Sequence, residues 1–221
     1  RTRIYQQYDE DRLATSITLG QRLGDVWVGN VSANLQRVKL TNFDPDTPIQ
    51  VYEDRGPDLF VTAGGSLRRT TFDDPFRPSK GSAITIGIDK AIPLSGDVDF
   101  WRLGGSMTSF IKINEDFLGR KQVLKLRTEA GYTFGGFVPT FEKYYLGGRS
   151  FRGFQFRTVS PKSTVGVGAN GQPTTIPPEP VGGDWLFFAS AQYEVPLVGE
   201  GLAGVVFVDS GTVTDTPGFE E

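Results

Sequence analysis

Arg152 is the side chain whose chemistry most needs a setting. It stands in Gly147-Gly148-Arg149-Ser150-Phe151-Arg152-Gly153-Phe154, just before a long Pro/Gly-rich passage. A guanidinium carries five donors in a planar fork and keeps its charge, so away from water it needs carboxylate acceptors. Two acids offer themselves. Between Trp185 and Val195, Ser190, Gln192 and Glu194 share one parity against Ala189, Ala191, Tyr193 and Val195, so Glu194 points to the polar face of that strand. From Leu202 to Asp209 both faces are apolar, and only the acid itself argues that its face is the polar one. Inward acids can also be a glycosidase acid/base couple, but neutralising Arg152 is the nearer use, because no other catalytic constellation accompanies them.

Composition removes most rival chemistries. His 0 and Cys 0 leave no imidazole or thiolate ligands, no disulfides and no usual general base. Asp44, Asp46, Glu53 and Asp54 lack calcium-loop spacing and read as solvated loop acids. The glycines and prolines from Thr164 to Gly183 have no following Lys-Ser/Thr and do not form a phosphate loop. A formal charge of -3 provides no basic field for nucleic acid. No catalytic residue, metal site or cofactor is expected.

The elements that must position Arg152 are strands. Leu13, Thr15, Ile17 and Leu19 alternate with small polar residues, and Trp27, Val31, Ala33 and Leu35 repeat the pattern after a Gly24-Asp25 turn. Alternation returns over 59–68, 83–89, 101–113 and 123–134, where Leu124, Leu126, Ala130, Tyr132 and Phe134 oppose Lys125, Arg127 and Glu129. With 185–195 and 202–209 about eight strands are predicted, and the turn-rich residues 41–58 are expected to form an exposed loop. In a soluble sandwich the apolar face would pack a core, and in a membrane barrel it would meet lipid with the charges in the lumen. Alternation over about 9–13 residues matches the ~9–11 of a tilted transmembrane strand better than the ~5–6 of soluble sheets. No run of about 18 apolar residues encodes a membrane-spanning helix. The chain opens on Arg1 without an apolar leader and reads as an excised piece.

Four segments then resemble one family. Tyr144-Tyr145 before Gly147-Gly148, the Arg152-Gly153-Phe154 core and Ser160-Pro161 are similar to the sixth-loop signature of BamA-type outer-membrane assembly proteins, the bacterial surface antigen family. Phe151 departs from that signature by standing where an aliphatic residue is usual. Asp73 to Gly81 resembles the family's periplasmic hairpin, Val181-Gly182-Gly183-Asp184 its return from the loop, and Phe207-Val208-Asp209-Ser210-Gly211 an aromatic-x-Asp-x-Gly strand.

The resemblance implies an all-β, antiparallel up-and-down transmembrane β-barrel of about sixteen strands, of which residues 1–221 would be a part lacking the last strands and any preceding periplasmic repeats. Residues 135–184 would be a long inward-folding loop, and the part alone is not expected to function. Arg152 would lock against Glu194 and Asp209, with Gly153 allowing close approach to the wall, Phe151 and Phe154 wedging against it, Gly211 completing the strand motif, and Gly147 and Gly148 supporting the loop. An exposed hairpin arginine is the plainer alternative.

The implied function is assembly or insertion of other outer-membrane proteins in the bacterial outer membrane, without enzymatic chemistry. Expected partners are outer-membrane lipid, unfolded outer-membrane protein substrates, and periplasmic or lipoprotein assembly partners, with no nucleic acid. Rival readings are a two-partner secretion or other translocation barrel of the same superfamily, a passive porin, and a soluble β-sandwich binding module.

Overall fold

Alternating apolar and polar residues commit a chain to strands, and here they build one long antiparallel meander. The computed structural model describes residues 2–4, 8–168, 171–198 and 202–217; the ends of the domain expected over 1–221 lie outside these. In chain order the elements are β1 (Thr2–Ile4), β2 (Asp9–Arg22), β3 (Trp27–Thr41), α1 (Ile49–Glu53), β4 (Gly56–Thr70), β5 (Gly81–Ser95), β6 (Phe100–Glu115) and β7 (Lys121–Phe134). The chain continues through β8 (Lys162–Val167), β9 (Pro173–Pro180), β10 (Trp185–Val198) and β11 (Leu202–Thr214). Strands β1 to β7, β10 and β11 lie side by side in that order, while β8 and β9 form a separate hairpin. Apart from β1, the sheet strands run 13 to 16 residues, enough to cross a bilayer when tilted. The sheet is not closed among the described residues: β1 and β11 are its edges.

Register assigns the two faces. Leu13, Ile17, Leu19, Val31, Ile86, Leu103, Val206 and Val208 are exposed large apolar residues, and the pairings put all of them on one face. Water would not tolerate so broad a continuous apolar surface, and hydrocarbon would. Trp101, Tyr132, Phe134, Trp185 and Phe187 share that face at one end of their strands, the place of an interfacial aromatic girdle. The other face carries Asp89, Arg102, Lys125, Arg127 and Glu129. No described helix is long and apolar enough to cross a membrane, which says nothing about strands.

The two long connections, 42–55 and 135–184, lie at one end of the sheet beside the tight 96–99 turn, and the other end carries the shorter 23–26, 71–80 and 116–120, an asymmetry like that of outer-membrane barrels. In the 71–80 turn at the short end, Asp73 Oδ1 accepts from the Ser79 and Lys80 amides, and Asp74 Oδ1 from those of Phe76 and Arg77. The bonds to Asp73, that from the Ser79 hydroxyl foremost, hold its carboxyl below the ordinary range.

Residues 41–58 are a correction. They do not form an exposed loop, because Thr47, Pro48, Val51 and Asp54 are buried. Helix α1 turns Val51 into a core with Val38, Phe60, Phe100 and Phe141. The Asp54 carboxylate accepts from the Thr140 amide at 2.6 Å and its hydroxyl at 2.5 Å. A second core, under β10 and β11, gathers Leu146, Phe151, Leu186, Phe188 and Val213. Both cores therefore include residues of the 135–184 segment.

Candidate functional site

The 135–184 segment lies against the charged face and narrows to a tip at Arg152. Its limbs hold one another through paired backbone bonds between Tyr144 and Gly183 and between Leu146 and Val159, and through Gly148 N to Phe154 O. Small residues admit it to the wall. A Cβ at Gly131 would stand 2.6 Å from the Tyr144 ring, and one at Gly211 would stand 2.9 Å from Leu146 Cδ1. In the return motif, a Cβ at Gly182 would meet Lys143 and Tyr145, and one at Gly183 would meet the Thr214 carbonyl.

At the tip, Arg152 grips Asp209 with both arms of its fork. Nε donates to Oδ2 at 2.8 Å and Nη2 to Oδ1 at 2.7 Å, and the Arg152 amide adds a 3.3 Å bond to Oδ2. Nη1 donates to Gln192 Oε1 at 2.9 Å and Nη2 also to Ser190 Oγ at 3.1 Å. The Ser190 hydroxyl donates to Asp209 Oδ1 at 2.6 Å. The Phe207 ring centroid lies 3.5 Å from the guanidinium carbon, a cation–π contact. Asp209 is 4% exposed and Arg152 33%, so the acid is sealed and the base retains an edge toward solvent.

The predicted residues divide. The structure brings together Arg152, Asp209, Phe151 and Gly211, and leaves Glu194 apart. Glu194 is exposed and has the parity expected of it, but it pairs with Val205 whereas Asp209 pairs with Ser190. Four residues of strand separate the two acids by ~13 Å, too far for one guanidinium to hold both. Gln192 and Ser190, on the same face of β10, take its place. Gly153 has φ +91, and a Cβ there would meet nothing within 4 Å, so backbone conformation rather than approach to the wall calls for glycine. Phe151 is buried against Phe188, whereas Phe154 is half exposed and stacks on Phe151 instead of the wall. Gly147 packs against the Gln155 carbonyl and Gly148 against Phe156, both with positive φ.

A second ion cluster went unread in the sequence. Glu142 takes Arg12 Nη1 of β2 on Oε1 at 2.8 Å and Arg102 Nη2 of β6 on Oε2 at 3.0 Å. Arg12 also donates to Glu10 at 2.9 Å and to Gln36 at 2.8 Å. Arg12 shares the parity of Ala14 and Ser16, and Arg102 that of Gly104 and Ser106, but Glu142 lies outside any strand and has no parity to read. For Ser190 the missing signal was register: an irregularity between Pro196 and Val198 shifts the pairing by one residue and places Asp209 across from it.

A family model for the Omp85 superfamily domain matches residues 1–219. The chain belongs to the Omp85 superfamily. It is 26% identical over 218 residues to the outer membrane protein assembly factor BamA of Nitratidesulfovibrio vulgaris, covering 96% of this chain and 26% of that protein. Among solved structures, BamA from Haemophilus ducreyi lacking POTRA domains 1-3 superposes with TM-score 0.75 at 20% identity, covering 93% of this chain and 42% of that one. CdiB from Acinetobacter baumannii gives TM-score 0.52 at 13% identity, with 92% and 32% covered. The chain thus spans about a quarter of the curated relative and is part of a larger barrel fold. Superfamily membership and the barrel wall place it in the bacterial outer membrane.

Proposed function

We propose that this Omp85 domain is barrel wall and interior loop of a protein that assembles or inserts other outer-membrane proteins, and that Arg152 locks the loop to the wall through Asp209. The bidentate contact from a loop tip to mid-strand β11 is the observation that supports the lock most directly. Bulk on the charged face from Phe141, Leu146 and Phe151 speaks against an open passive pore, and similarity to an assembly factor supports the assembly role.

No covalent step is involved. A chain entering the membrane must pair its backbone donors, and adding its strand to an exposed barrel edge does so. The lock's part is to keep the loop tip seated on β10 and β11 while edges open and close. Arg152 is a third exposed, so removing it forfeits its charge-assisted hydrogen bonds, up to about 3 kcal/mol, rather than the ~3–5 kcal/mol of a fully buried pair. The substrates are unfolded outer-membrane proteins, lipid covers the apolar face, and periplasmic or lipoprotein partners act at the short-turn end.

The test is complementation. In cells depleted of the full-length protein, R152A is expected to leave many heat-modifiable outer-membrane proteins unassembled. Loss of a single secreted client with general assembly intact would favour a secretion barrel, and wild-type levels of both would contradict the lock.

A further inference from the structure

Glu142 sits ten residues before Arg152 and inverts its chemistry: the loop supplies the acid and the wall supplies the cations. Its carboxylate is 7% exposed, as the side chain, and divides its oxygens between two arginines. Arg102 Nη2 reaches the Glu142 backbone carbonyl as well, at 2.7 Å, so side chain and main chain of one residue are held together. Glu10, 1% exposed, is a second acid on Arg12, and losing Glu142 would take from Arg102 the carboxylate it pairs with.

The two arginines come from strands with three others between them, roughly 19 Å apart measured along a sheet. A single carboxylate can serve both only because the sheet curves around it. Phe141 beside it packs with Phe60, and the Arg12 and Arg102 guanidiniums lie over the Phe141 and Phe100 rings. This fixes the root of the loop to the β2–β6 side of the wall.

From that root a continuous path leads to the tip. Tyr144 lies on Gly131 and pairs with Gly183; Leu146 lies on Gly211 and pairs with Val159; Gly148 closes on Phe154. Arg152 follows four residues later and must meet Asp209 within hydrogen-bonding tolerance in two bonds at once. A shift of about an ångström at the root would break the fork.

We infer that Glu142 is a positioning residue: by bridging Arg12 of β2 and Arg102 of β6 it sets the root of the loop so that Arg152 meets Asp209 on β11. The loop is then a strap with an acid at one end and a base at the other, tying the two sides of the curved wall. This rests on the reading of Arg152 as the loop's functional contact.

The experiment uses the full-length protein in detergent, without substrate, spin-labelled at Arg149→Cys near the tip and Val208→Cys on the outer face beside Asp209. Double electron–electron resonance is expected to give one narrow distance for the wild type and to lose it in D209A, which frees the tip. E142A is expected to lose it too while the barrel stays heat-modifiable, and D46N, at an exposed acid on the neighbouring connection, to keep it. If E142A does not fold, E142Q, which preserves volume but not charge, is read in its place and should broaden the distance. An unchanged narrow distance in the folded Glu142 variant overturns the inference. The distance does not depend on assembly, so a shifted loop with normal assembly would retain the positioning role and count against the proposed function instead.

Discussion

The two ion clusters of the loop differ in polarity, reach and visibility. At the tip one arginine meets one acid on β11, and its remaining donors go to the adjacent strand β10. At the root one acid meets arginines from β2 and β6, across three intervening strands. A contact to one hairpin can orient a loop but cannot hold distant strands together. A contact to separated strands can do so. The tip is thus suited to seating the loop on β10 and β11, and the root to maintaining curvature.

The largest expected effect is at the tip. R152A leaves Asp209 without its cation and removes the fork that covers it, at a cost of up to about 3 kcal/mol in loop docking. R152K, which keeps the charge but not the fork, should recover only part of it. Thermal loss of heat-modifiable mobility of the folded barrel is the measurement. A smaller effect, about 1–3 kcal/mol, is expected from G211V, because the added bulk meets Leu146, the Phe187 carbonyl and Phe188. It should disturb the tip while leaving the Glu142 cluster in place, which separates the two ends.

Next comes a comparison within β10. Q192A should cost about 1.5 kcal/mol, since it removes an acceptor from a charged donor. E194Q should stay within about 0.5 kcal/mol, as an exposed acid without that contact. The reverse order would restore the pairing that the sequence predicts.

A pH dependence is expected at the root side, where Asp54 ties the 42–55 connection to Thr140. Burial pushes the Asp54 carboxyl up to about 6 against the opposing hydrogen bonds of Thr140. The folded chain therefore holds a proton that the unfolded chain has released. The contribution is fully present below about pH 4 and is lost as pH rises through about 6. Protease clipping of the 135–184 segment on intact cells should rise across that window and become flat in D54N.

Much of the wall was legible because a strand's two faces write themselves at every second residue. Leu13 to Leu19 and Leu124 to Phe134 define their strands without help. Parity gives a face but no height, which is why Glu194 was preferred to Gln192 and Ser190. Residues 41–58 look polar, yet Pro48 and Val51 are buried and Val51 joins a core that Phe141 of the 135–184 segment shares. The β8–β9 hairpin was masked by its prolines, which usually exclude a strand but are tolerated here in a short two-stranded piece. Glu142 had no local signal, because both of its partners are far from it in the chain. Its chain separations from Arg12 and Arg102 are 130 and 40 residues.

The central claim is that Arg152 acts through Asp209. A double-mutant cycle of R152A and D209A, read as assembly of a heat-modifiable client by the full-length protein in proteoliposomes, tests it most directly. The account predicts strong non-additivity, with the double variant no worse than either single one. Additive losses would show that the two residues act independently and would contradict it.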